Sequence, residues 1–192
     1  MSFSSRLIII IIVLTTTFTT SGAFQQVPSE QETWARNFFR IERSNPIIPD
    51  VDGAYGIVFR DLNQDNLPDI YLVCFPGFNR LLINRGSITF YDATNISGLG
   101  GDVMPMGEKN WEHSTIAADF FNTGKPDVMI GGWGQTTTIY RHRGNFDFRE
   151  QTSILGLPDH IFINDIATAD INNDGYLDIF LTDERLTNSL LL

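Results

Sequence analysis

A chain of 192 residues with 42% hydrophobic and 12% aromatic content can build a packed core, which excludes a disordered polypeptide. A net charge of −10 excludes a nucleic-acid-binding surface, because phosphate contacts need a basic face. With Cys74 as the single cysteine, no intrachain disulfide can form.

The N-terminus reads as a secretory leader over residues 1–23. Arg6 supplies the positive region, Leu7 to Leu14 form an apolar run, and Ser21-Gly22-Ala23 offers small residues for cleavage before Phe24. That run is too short to span a bilayer, which takes about 20 apolar residues. Secretion is the expectation, with a membrane contact only if the leader stays uncleaved as an anchor. Residues 24–52 form a linker with one short helix. Ser29 and Glu32 make a capping box behind Pro28, and Trp34, Phe38 and Ile41 fall on one stripe. Asn45-Pro46 and Pro49 end it.

From Gly53 the chain repeats. Asp61, Pro68 and Asp69 recur as Asp119, Pro126 and Asp127, an offset of 58. Arg85-Gly86, Phe90, Thr94 and Gly98-Leu99 recur at the same offset as Arg143-Gly144, Phe148, Thr152 and Gly156-Leu157. A third copy of the loop follows Asp119 by 51 residues, at Asp170. Each unit predicts four short strands, in the first Tyr55 to Phe59, Ile70 to Phe75, Arg80 to Asn84 and Ile88 to Tyr91. No stretch between the loops has helical periodicity, and a four-stranded period of this length is that of a β-propeller blade. The predicted units are 53–110, 111–162 and 163–192, the last ending near its third strand. That ending predicts a fragment or truncated gene product, with a short protein that completes its sheet on a partner as the alternative. Cys74 lies in an apolar run and is expected to be buried and inert.

The loops carry the chemistry. In Asp170-Ile171-Asn172-Asn173-Asp174-Gly175-Tyr176-Leu177-Asp178, oxygen-bearing side chains occupy positions 1, 3, 5 and 9. Such a hard-oxygen set suits Ca²⁺, with the carbonyl of Tyr176 as main-chain ligand and Gly175 supplying a left-handed turn. Asp61, Asn63, Asp65 and Asp69 repeat the set with the Leu67 carbonyl, and Asn66 stands in the glycine's place. In the middle copy Asp119, Thr123 and Asp127 remain, but Phe121 occupies position 3, so a weak or absent site is expected. Position 12, the glutamate of an EF-hand, is Leu72, Ile130 and Leu181, which excludes that motif.

The pattern D-x-[DN]-x-D-[GN]-x-[LP]-D, followed by an apolar strand and F-x-[DE]-x-T-x-x-x-G-L, resembles FG-GAP/VCBS repeats, the blades of integrin-α-like propellers. The likeness covers about Gly53 to Leu192, and the Phe-Thr-Gly-Leu tail is similar to the VCBS branch. The resemblance implies an all-β fold, a partial β-propeller with two complete blades and a truncated third. It also implies structural Ca²⁺ on the two intact ligand sets.

Two functions follow as expectations. One is a secreted or cell-surface calcium-binding module that engages a protein or glycan, with calcium structural and no catalysis. Residues Gly100 to Trp111, including Met104-Pro105-Met106, are its candidate contact surface, or else an ordinary connector. The alternative is the propeller part of an extracellular carbohydrate-active enzyme. For it, Glu108 and Glu112 beside His113 form the imaginable acid/base set, although solvated loop carboxylates are the favoured explanation. His113, His142 and His160 lack metal-ligand spacing. Asn95-Ile96-Ser97 is a glycosylation sequon.

Overall fold

The computed structural model describes residues 53–75, 77–87, 89–101, 111–135, 137–156, 161–185 and 187–192. The leader, the linker helix and Met104 to Met106 lie outside them.

The described chain is all-β, as the repeat pattern predicts. The first unit is an antiparallel sheet in the order β1 (Ala54–Arg60), β2 (Asp69–Cys74), β3 (Arg80–Asn84) and β4 (Phe90–Asp92). The second unit repeats it as β5 (Trp111–Ala118), β6 (Asp127–Gln135), β7 (Thr138–His142) and β8 (Phe148–Glu150). The third holds β9 (Ile161–Ala169), β10 (Asp178–Asp183) and β11 (Ser189–Leu191). Alternating β-branched and aromatic residues suit these pleated, half-buried runs.

The repeat extends to irregularities. A bulge lies between Ala54 and Gly56 in β1 and between Glu112 and Ser114 in β5, at equivalent positions. The β3–β4 turn bonds Arg85 N to the Thr89 carbonyl, and the β7–β8 turn bonds Arg143 N to that of Asp147. Two features depart from the predicted four-strand units. Strand β6 runs on past its own hairpin and pairs with β9 at Trp133–Phe162 and Gln135–Ile161, so the second and third units share one sheet. A single helical turn, α1 (Thr94–Ser97), follows β4, and a 3-10 turn (Thr152–Leu155) takes its place in the second unit. One turn is too short to leave a periodic signature.

That turn explains the tail motif. Asp92 accepts from the Thr94 backbone N–H at 2.9 Å, and the Thr94 hydroxyl accepts from Leu81 N at 3.0 Å. Gly98 ends the turn at φ 80°, where a side chain is strained. A Cβ there would also lie 2.6 Å from the Phe148 carbonyl of the next unit.

The first strands β1, β5 and β9 lie side by side, and two of the buried clusters fill the spaces between units. Tyr71, Val73, Leu81, Ile83 and Leu99 pack against Val128, Tyr140 and Phe148 between the first and second units. Met129 and Ile139 pack against Ile163, Ile166, Ile179 and Leu181 between the second and third. Cys74 is buried, as its apolar surroundings predict.

Candidate metal loops and the opposite face

Each loop joins the first two strands of its unit. In the first, Asp61 Oδ1 accepts from Asp65 N at 3.1 Å and Oδ2 from Asn66 N at 2.8 Å. Asn63 Oδ1 accepts from Asp65 N at 2.9 Å, and Asp65 Oδ1 from Leu67 N at 2.8 Å. The third loop reproduces the set. Asp170 accepts from Asp174 N and Gly175 N at 3.1 and 3.0 Å, Asn172 from Asp174 N at 2.9 Å, and Asp174 from Tyr176 N at 2.8 Å. The middle loop keeps only the first part, with Asp119 accepting from Thr123 N at 2.8 Å and Gly124 N at 2.6 Å.

The ninth residue does a second job that the ligand pattern does not predict. Asp69 is fully buried, with Oδ2 accepting from Leu62 N and Oδ1 from Asn84 N on β3, at 2.8 and 2.9 Å. Asp127 repeats this with Phe121 N and His142 N, and Asp178 holds Ile171 N. Burial pushes the carboxyls of Asp69 and Asp127 above the usual range; backbone hydrogen bonds oppose this, and neighbouring loop carboxylates add to it. Asp61 Oδ1 accepts a second N–H, from Gln64 at 2.7 Å, while Asn63 Oδ1, Asp65 Oδ1 and both Asp69 oxygens each accept one and keep a lone pair. Among the described residues, no group of three or more His, Cys, Asp or Glu side chains is drawn together to hold a metal ion. The intact loops therefore present the right donor chemistry, while their three aspartates are not gathered to one point.

Two backbone positions per loop are left-handed. Position 6 (Asn66, Gly124, Gly175) has φ of 69°, 77° and 88°, as the asparagine and glycines predict. Position 4 (Gln64, Asn122, Asn173) has φ of 67°, 53° and 58°, which sequence reasoning missed. Asparagine in two of the three copies was the available signal.

At the opposite strand ends lies a row of aromatic rings. Phe75 stacks on Trp111 with centroids 4.7 Å apart, and Trp111 stacks on Trp133 at 6.1 Å. Tyr55 extends the row from Phe75 at 6.4 Å, and His113 meets Trp133 edge-on at 5.1 Å. Trp111 and Tyr55 are 52% and 65% exposed, so this is surface and not core. Trp111 was a candidate contact residue from its sequence position. Its two ring partners, Phe75 and Trp133, come from the ends of other strands and carried no common signal.

Of the imagined acid/base set, Glu112 and His113 lie among the described residues. Glu112 is not a solvated loop carboxylate: it sits on β5, buried, and accepts from Asn79 Nδ2 at 2.7 Å. The same amide donates to Tyr71 Oη at 3.0 Å, while Asn79 Oδ1 accepts from Cys74 N at 2.9 Å. The Tyr71 hydroxyl donates to the Leu99 carbonyl at 2.9 Å, and burial with Glu112 beside it pushes its pKa well up. Glu112 lies next to the bulge on the buried side of β5, which a strand-end residue in sequence does not announce. Glu108 and His160 lie outside the described residues. Asn95 is exposed on α1. No described helix is long and apolar enough to cross a membrane.

The FG-GAP-like repeat matches this chain twice, over residues 61–130 and 119–181. The chain is also similar to human cartilage acidic protein 1, with 30% identity over 132 residues. That alignment takes in 67% of this chain and 19% of the relative, so the chain spans about a fifth of that protein's length.

Proposed function

Since the chain belongs to the FG-GAP-like repeat family, we propose that it is an extracellular repeat module, stiffened by calcium, that offers an aromatic face to a protein or glycan. One observation carries the calcium reading: the first and third loops build the same hydrogen-bonded cage around the same oxygen donors, and the middle loop does not. Asp61, Asn63, Asp65, the Leu67 carbonyl and Asp69 would hold one ion. Asp170, Asn172, Asp174, the Tyr176 carbonyl and Asp178 would hold the other. A bound Ca²⁺ would supply positive charge to the loop carboxylates and take no catalytic part. In the middle loop Asp119, Thr123 and Asp127 remain, but Phe121 offers no oxygen and Lys125 brings a cation to position 7.

Extracellular placement is supported by the family, by a relative named for cartilage and by the leader read from the sequence. Binding is supported by the aromatic row, because exposed apolar patches of this kind mark interaction surfaces. We assign no reaction to the molecule.

Calorimetric titration of the chain with calcium tests the metal reading. Extracellular modules bind calcium with Kd of about 10⁻⁴ to 10⁻³ M, and tenfold excess over Kd adds about 1.4 kcal/mol of stability. Asp65→Ala and Asp174→Ala should each remove part of the calcium-induced rise in melting temperature, and Asp119→Ala should not. No heat of uptake would sink it. A glycan array with the parent and Trp111→Ala tests the binding face, and hits that survive the substitution would refute it.

A further inference from the structure

Beside the middle loop, the sign of the charge reverses. A cleft of about 430 Å³ opens between this loop and the β7–β8 hairpin, lined by Lys125, Arg141, His142, Arg143 and Arg149. The fold does not require these cations. At the equivalent places the first unit has Leu67, Ile83, Asn84, Arg85 and Tyr91, on strands of the same register. Only the arginine of the turn is common to both. In a chain of net charge −10, four cations gather around one cleft, and three of them are absent from the equivalent places of the first unit. Phe121, the residue that removed a metal ligand, supports one of them, with the Arg141 guanidinium 4.9 Å from its ring centre.

His142 is the second observation. It is 2% exposed, and neither ring nitrogen has a hydrogen-bond partner among the described residues. Asn84, in its place in the first unit, is satisfied: its amide donates to the Pro68 carbonyl at 3.0 Å and accepts from Gly86 N at 2.9 Å. A buried imidazole with both nitrogens unpaired is costly unless a ligand completes it. Three carboxylates of the same loop and hairpin offset part of the cleft's charge, and each is already held: Asp119 accepts from Thr123 N and Gly124 N. Asp147 engages Arg149 Nε at 2.8 Å, and Asp127 is occupied by the His142 backbone N–H at 2.8 Å.

We propose that this cleft binds a tetrahedral oxyanion, the sulfate or phosphate group of a ligand, with Lys125, Arg141, Arg143 and Arg149 around it and His142 donating to one oxygen. Arginine forks match such oxygens two at a time, and lysine adds a point charge. The site is independent of the first and third loops, so failure to bind calcium would leave it standing.

The test is an NMR-monitored titration of the isotope-labelled chain with sodium sulfate and, separately, sodium phosphate, against sodium chloride at matched ionic strength. Saturable shifts should appear at the His142 ring and at the amides of 123–125 and 141–143, with Kd of about 1 mM. Arg143→Glu and Lys125→Glu should each weaken binding by about tenfold or more. Arg85→Glu makes the same charge change at the equivalent turn of the first unit and should leave Kd unchanged. The melting temperature of each variant separates lost binding from lost fold. Tighter binding of sulfate points to a sulfate ester, and of phosphate to a phosphate ester. Shifts that never saturate, that chloride reproduces, or that Arg85→Glu weakens equally would overturn the proposal.

Discussion

Gln64 of the first loop donates from Nε2 to the carbonyl of Gly124 in the second, at 2.8 Å. Asn122 repeats the link to Gly175 of the third loop, at 2.7 Å. In both, a left-handed residue at position 4 reaches the left-handed residue at position 6 one unit on. The loops thus form a ladder across the units.

Gln64→Gly and Asn122→Gly keep the backbone conformation open while removing the donors. Each should lower unfolding stability by about 0.5–1.5 kcal/mol, nearer the lower figure because the links are exposed. Denaturant titration checks this, and because Asn122 lies two residues from Gly124 in the same loop, the double variant reports how far the two links are coupled. If neither variant changes the midpoint, the ladder is decorative.

Asn79 satisfies three groups at once between the first two units: Cys74 N, the Tyr71 hydroxyl and the Glu112 carboxylate. Asn79→Ala should cost about 1–3 kcal/mol or more, because it strips partners from buried polar atoms. Glu112→Gln keeps the shape and should cost less than Asn79→Ala. The reverse order, read from thermal melts, would show that the buried charge and not the amide organises this junction.

Gly131 marks where the second unit meets the third. A Cβ there would lie 2.7 Å from Ile163 Cγ2 and 3.1 Å from Ile163 Cβ. Gly131→Ala should therefore destabilise by about 1–3 kcal/mol through overpacking. Ile163→Ala alone leaves a cavity, but added to Gly131→Ala it should cost less than the sum of the singles. Strict additivity would place the strain elsewhere.

Acidification should weaken the fold through two histidines. Burial lowers the pKa of His113, and burial with Lys125 nearby lowers that of His142. The unfolded chain therefore takes up protons more readily than the folded one. Their stabilising contribution is full above the ordinary histidine value of about 6.5 and is lost as pH falls through the folded values. His142→Asn, which restores the residue of the first unit, should flatten the slope of stability between about pH 7 and 5. Asp69 and Asp127, shifted upward, contribute the opposite sign at lower pH. Sulfate and phosphate must be left out of the buffer. An unchanged slope in the variant would mean that His142 does not carry the effect.

Most strands, the repeat register and the identity of the loops were legible from residue order alone. These are local facts: alternation sets a strand, and in each intact loop the oxygen donors fall within nine residues, Asp61 to Asp69 or Asp170 to Asp178. Only tertiary structure decided what the units do to each other. The Gln64–Gly124 link, the burial of Glu112 against Asn79 and the row from Phe75 to Trp133 all join residues of different units. Such contacts depend on how one sheet stacks on the next, and a period in sequence fixes the spacing of units but not the side chains that meet between them.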